Sequence, residues 1–455
     1  MFSRISASRQ HNPISAFAGG AHAHSILSSC CHTLLPFFTT RSAGVLRVLC
    51  REAQATVAGH GFSDSCTPIH PRRLLQWRSS FPRAQGARLR TLGGLPSAVF
   101  TLDIFSTLTT LCLHGLYQAI PPSAFQSLPR LRTLDATRCW GLGDEALGHL
   151  LALEDLTMAR CTQPGFAGRT LASLPRLRAL NVSGCTQLTD ASFAGLTALT
   201  CLRMNYCSQR ALTDAVFTSL TALRALHMAC CPQPTLTNAV FAPLAGALQV
   251  VNLGCCTQFT GGALRHLRGV EDLDLTGCRI GDEGFVHLRG AAPRRLNLCG
   301  LRVTDEALAH LSGVRALRMA DCNHPLLTTA AFAPLVRAGL EELDMSGCNQ
   351  ATITEALVPL LAGVRVLRME RCRDRIRKAA HAAGLPVPPA PSELRRQRER
   401  ECAAQRALHL EQFPPDWREE GMEEEEEWEE EVEVDWCCRQ KMVPGKGTGG
   451  RKSHR

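Results

Sequence analysis

The sequence predicts a repeat solenoid: strand–turn–helix units stacked so that parallel strands form one wall and short helices the other. Three observations predict it. A cysteine recurs every 21 to 26 residues, apolar and polar residues alternate just before it, and apolar residues fall three apart just after it.

The cysteine column comes first. It reads Cys139, Cys161, Cys185, Cys207, Cys231, Cys256, Cys278, Cys322, Cys348 and Cys372, with Leu301 standing in the one gap. An earlier unit, LTTLCLHGL from residue 108, carries Leu116 at that place, so residues 108–376 hold about twelve units. With the cysteine numbered place 9, apolar residues occupy places 1, 4 and 6, as in Leu177, Leu180, Val182 and Cys185. Place 5 between them reads Cys112, Asp135, Thr157, Asn181, Arg203, His227, Asn252, Asp274, Asn297, Arg318, Asp344 and Arg368. A period of two with one apolar face is a half-buried strand. Such a strand is too short to stand alone, so unit must stack on unit as a parallel sheet with its polar face outward.

The helix follows the cysteine. Phrases such as LTDASFAGL, LTDAVFTSL and VTDEALAHL place Asp, Thr or Asn after an apolar residue, as a helix N-cap requires. Apolar residues three apart, as in Phe193 and Leu196, then make one face of a short helix. Strands pack closer together than helices, so the stack curves with strands on its inner wall. At about 4.8 Å per strand, twelve units offer an inner face roughly 50 Å long.

The pattern L-x-x-L-x-[LMV]-x-x-C followed by [LIV]-T-D resembles the cysteine-containing subfamily of leucine-rich repeats, over about 270 of the 455 residues. Those repeats occur in F-box substrate receptors and in related proteins without an F-box. The resemblance implies an α/β solenoid and an interaction role, and leaves the partner open. It also explains the cysteine. A small apolar side chain with a weak S–H donor fits between stacked neighbours where strand turns into helix, and reaches a backbone carbonyl. These cysteines are therefore expected to form a structural ladder, with no metal and no cofactor.

Composition bounds the rest. The chain is 45% hydrophobic but only 5% aromatic, which predicts a core of leucine, alanine and methionine rather than stacked rings. No apolar run is long enough for a membrane span. Residues 1–51 contain five arginines, eight serines and no Asp, Glu or Lys. That is the composition of a mitochondrial transit peptide or of an unstructured N-terminus; without targeting, the chain is expected in the cytoplasm. Residues 52–107 read as an N-terminal flank. The proline-rich linker 377–391 leads to a charged helix at 392–418 and then to a tail, 419–455, that is acidic around Trp428 and basic at its end.

Motifs for catalysis are missing from the sequence: it has no phosphate-binding glycine loop, no CxxC and no HExxH. His149, His266, His287 and His310 recur at helix ends, where exposure is expected. The protein is thus expected to be a non-enzymatic scaffold that docks a protein on its inner face. Arg203, Tyr206, His227, Asn252, Asp274, Asn297 and Arg318 form the predicted contact set. Two alternatives remain. A ubiquitin-ligase substrate receptor would bind a Skp1-type adaptor through an F-box, for which LPSAVFTLDIFSTL at 95–108 is the candidate. An organellar RNA- or ribosome-associated factor would use inner-face arginines, but Asp135, Asp274 and Asp344 share that face.

Overall fold

The computed structural model describes Ala58 and residues 61–62, 68–69, 74–89, 106–115 and 120–387. The segment 1–51, Leu116, most of the F-box candidate at 95–108, the charged helix at 392–418 and the tail at 419–455 lie outside these residues.

Fourteen parallel strands make one sheet in strict sequence order. They are β1 (Pro68–Ile69), β2 (Gly86–Leu89), β3 (Thr110–Cys112), β4 (Thr133–Asp135), β5 (Asp155–Thr157), β6 (Ala179–Asn181), β7 (Cys201–Arg203), β8 (Ala225–His227), β9 (Val250–Asn252), β10 (Asp272–Asp274), β11 (Arg295–Asn297), β12 (Ala316–Arg318), β13 (Glu342–Asp344) and β14 (Val366–Arg368). Each repeat strand covers places 3 to 5 of its unit. The middle residue is buried, and from β4 onward its two neighbours stay half-buried or exposed. Register follows the repeat, as where Ala225, Leu226 and His227 pair with Val250, Val251 and Asn252. Two further strands, β1 and β2, precede the first unit that the cysteine pattern marks, and pair in the same sheet.

The opposite wall is built from helices of three to nine residues, most of them 3₁₀ rather than α. The reason lies in the spacing. Apolar residues three apart line up on a helix of three residues per turn, and Pro243 inside Asn238–Leu244 lacks the N–H that an α-helix needs. Threonine is the N-cap: Thr213, Thr237, Thr304 and Thr328 accept backbone N–H groups from Ala215, Ala239, Glu306 and Ala330. The aspartate after it has another task. Asp190 accepts both the N–H and the hydroxyl of Thr213 in the next unit, at 2.8 and 2.6 Å. Asp214, Asp282 and Asp305 do the same for Thr237, Thr304 and Thr328.

Leucine and methionine fill the strand side of the core as expected, but the helix side holds more rings than composition predicts. Phe166, Phe193, Phe217, Phe241, Phe259, Phe285 and Phe332 are all fully buried. Few aromatics suffice, because each of these units buries a single ring, either in the helix or at its end, as at Phe217 and Phe193, or just before it, as at Phe259. Phe241 and Phe259 meet with ring centroids 5.1 Å apart. At the C-terminal end, a helix over Asp374–Ala382 runs past residue 376, where the pattern predicts a linker. Ile376 and Ala380, one turn apart, bury against the last unit. No helix among the described residues is long and apolar enough to cross a membrane.

Candidate interaction surface

Each unit turns from strand to helix by the same device. Place 8 is left-handed in every unit: Arg138, Arg160, Tyr206, Cys230, Cys255, Asp321 and Arg371 have φ between 55° and 61°, and Gly115, Gly184, Gly277, Gly300 and Gly347 between 64° and 74°. Glycine takes this conformation without penalty, whereas a side chain there costs of order 1 kcal/mol. The kink lets the sheet ladder continue beyond the strand. The place-8 N–H donates to the next unit's place-7 carbonyl, as from Arg160 to Ser183 at 2.7 Å and from Tyr206 to Ala229 at 2.8 Å.

The following cysteine then points into the stack. The Sγ–H of Cys185 donates to the carbonyl of Met158 in the preceding unit at 3.0 Å. Cys161, Cys207, Cys231, Cys256, Cys278, Cys322, Cys348 and Cys372 make the equivalent bond at 2.9 to 3.3 Å. All are buried and in the thiol form. Burial pushes Cys161, Cys207 and Cys372 up to about 11 and Cys139, Cys256, Cys278 and Cys322 up to about 12, and raises Cys185, Cys231 and Cys348 further still. A thiol held neutral in this way is neither nucleophile nor metal ligand at neutral pH. No group of three or more His, Cys, Asp or Glu among the described residues is placed to hold a metal ion.

Two places beyond the cysteine runs a second ladder, of glutamines. Gln163, Gln187, Gln209, Gln258 and Gln350 donate Nε2–H to the carbonyl of the preceding unit's ladder cysteine at 2.7 to 3.2 Å. Their buried Oε1 atoms meet no donor, and Gln233 has neither amide atom paired.

The outward face carries the predicted contact set, and the structure divides it. Asn252, Asp274 and Asn297 are half-buried, and each accepts a backbone N–H two residues on, from Gly254, Thr276 and Cys299 at 2.9 to 3.1 Å. Asp135, Asn181 and Asp344 do likewise. Asparagine and aspartate at place 5 therefore fasten the turn, a local role that explains those residue types without a partner. Arg203 and Arg318 instead stand exposed, and Tyr206, 54% exposed, leaves the sheet from the left-handed turn rather than from the strand. His227 is half-buried. Burial and the Arg203 guanidinium hold its imidazole below the usual value, with Asp272 opposing. Beneath this row, place 3 carries only Ala179, Cys201, Ala225 and Val250 across β6–β9, so the floor beside Arg203 and His227 is low. His149 is exposed, and His266, His287 and His310 are half-exposed, each in its own unit.

This architecture defines a leucine-rich-repeat solenoid. A leucine-rich-repeat family model matches residues 266–286. In the crystal structure of a TLR13–ssRNA13 complex, the matching chain is 19% identical, with 69% of this chain and 50% of that one covered at a TM-score of 0.50. The present chain thus spans half the length of that one. An LRR protein of Leptospira interrogans matches at 16% identity, covering 72% and 85% at a TM-score of 0.49. An internalin of Listeria monocytogenes matches at 15%, covering 63% and 81% at 0.47. No curated protein sequence matches. At these identities the likeness is one of fold.

Proposed function

We propose that the protein is a non-enzymatic interaction scaffold that docks one protein partner on the outward face of its strands. One observation carries this reading. From β4 to β14 the residues flanking each buried strand centre remain exposed or half-exposed, on a sheet wall roughly 50 Å long. A rigid wall of that length lets one partner touch many strands at once. Arg203, Tyr206, His227 and Arg318 are the contact residues, placed around the low floor of β6–β9 and along the wall. The mixed signs of the wall, with Asp155 and Asp272 beside Arg203 and His227, favour a protein partner over a nucleic-acid backbone.

The test is replacement of Arg203, Tyr206 and Arg318 together by alanine, with partners first identified by proximity labelling in cells. All three are exposed, so the unfolding midpoint should stay almost unchanged. Partner affinity should fall about tenfold or more, which is about 1.4 kcal/mol. The proposal is abandoned if the triple variant retains every partner while deletion of residues 392–455 loses them.

A further inference from the structure

The ladder is not the only column of thiols. Cys230 and Cys255 occupy place 8 in consecutive units; both are reduced and only half-buried. The register that pairs His227 with Asn252 carries on past the strands, with Met228 N–H donating to Asn252 at 2.9 Å and Cys230 N–H to Gly254 at 2.7 Å. It sets Cys230 beside Cys255. Their φ angles are 57° and 61°, so both side chains leave the backbone in the same direction.

Neighbouring rungs approach closely at this column. A β-carbon built on Gly277, the next residue along, would lie 3.9 Å from the Cα of Cys255 and 3.4 Å from its Sγ. Side chains in this column lean toward the following rung, as Arg160 does toward Gly184 and Asp321 toward Gly347. A Cys230 thiol aimed at Cys255 is thus met when Cys255 turns back about its Cα–Cβ bond. In-register strands stand about 4.8 Å apart, inside the Cα separation of about 4.4–6.8 Å that a disulfide spans. Cys201 and Cys299, the other half-buried thiols among the described residues, have no cysteine beside them in register: Ala179 and Ala225 flank the first, Thr276 and Ala320 the second. The ladder neighbours Cys231 and Cys256 are buried, and their thiols donate to Met204 and Met228 carbonyls at 3.0 and 2.9 Å.

We propose that Cys230 and Cys255 are a redox modification site: a dithiol that closes to a disulfide between adjacent rungs by exchange with a small-molecule disulfide. One cysteine, as thiolate, attacks a sulfur of that disulfide and releases one small thiol. The second cysteine, as thiolate, then attacks the protein sulfur of the mixed disulfide and releases the other. Two protein S–H groups become one S–S bond, and the small disulfide is reduced to two thiols. The bond clips β8 to β9 at the turn edge next to Tyr206. The site rests on the register of the sheet and stands whether or not the outward face binds a partner.

The experiment is incubation of the folded full-length chain with glutathione disulfide, followed by alkylation and non-reducing peptide mapping. Trypsin leaves residues 225–265 as one peptide, so chymotryptic cleavage after Phe241 is needed to separate the two cysteines. The expected result is two fragments joined through Cys230 and Cys255 and released by dithiothreitol, with the thermal midpoint of the oxidised chain above that of the reduced one. Cys230→Ser and Cys255→Ala should each abolish the link and the upward shift, and Cys201→Ser should abolish neither. Far-UV circular dichroism of both variants checks that they fold. Glutathione adducts without a cross-link, a link to any other cysteine, or unreacted thiols in the folded chain would each overturn the proposal.

Discussion

Replacing Cys185 by alanine separates what a ladder thiol contributes by packing from what it contributes by hydrogen bonding. Cys185 has no exposed surface, and its thiol donates to Met158 at 3.0 Å. Losing one buried sulfur costs about 1 kcal/mol in transfer, with a few tenths more for the small void left behind. The weak S–H bond adds about 0.5 kcal/mol at most. The Met158 carbonyl is not orphaned, because the backbone N–H of Cys161 also donates to it, at 3.2 Å. The sum is about 1–2 kcal/mol. Serine should be worse, at about 2–3 kcal/mol, since it buries a more strongly hydrated group whose shorter C–O bond carries the donor away from that carbonyl. Equilibrium urea unfolding of the three proteins, followed by circular dichroism, reads the order. If serine is neutral while alanine costs more than about 3 kcal/mol, hydrogen bonding dominates and the packing account of the ladder is wrong.

Alkali should unfold the protein early. Unfolded thiols release their protons near the ordinary value of 9.0, while burial keeps those of Cys161, Cys207 and Cys372 until about 11. Their stabilising contribution is complete below pH 9 and falls between 9 and 11, by about 1.4 kcal/mol per rung per pH unit, so urea midpoints should drop steeply there. Tyr206→Gly relieves a left-handed side chain and should raise stability by about 1 kcal/mol; Gly184→Ala, at φ 73°, should lower it by as much or more in the same urea assay. Gln163→Met removes donors to the Cys139 and Leu142 carbonyls at 2.9 and 2.6 Å and should cost about 1–3 kcal/mol. Gln233→Met, where neither amide atom is paired, should be neutral or stabilising, and a comparable loss at both sites would contradict the ladder.

What the sequence made legible is the part governed by periodicity. Alternation at places 4 to 6 located β3 to β14, and the cysteine column located the inward turn. Threonine before aspartate located the helix starts, though the aspartate serves the next unit instead of its own cap. Residues whose role is local were harder to see. Asparagine and aspartate at place 5 have the chemistry of a contact surface and also of a turn clamp; the clamp is visible only in bonds such as the 2.9 Å one from Gly254 to Asn252. The left-handed place 8 was veiled because arginine, tyrosine, cysteine and aspartate share it with glycine, yet five glycines in one column were the available signal. The glutamine ladder had a signal too, in five consecutive units from Gln163 to Gln258. The first two strands had none, since GARL over Gly86–Leu89 lies outside the cysteine spacing.

The ladders have a direction. The thiols of Cys161 to Cys372, the glutamine amides and the hydroxyls of Thr213, Thr237, Thr304 and Thr328 all donate toward the N-terminus, to acceptors in the unit made before their own. A chain emerging from the ribosome therefore presents each finished unit as a template of waiting acceptors, and the next unit arrives with the matching donors. Shortening the array from its C-terminal end leaves backbone carbonyls and carboxylates that water can satisfy at the new edge. Cutting it from the N-terminal end leaves thiols and amides whose acceptor at the new edge is water. The side-chain ladders thus run against the backbone N–H groups of place 8, which donate toward the C-terminus.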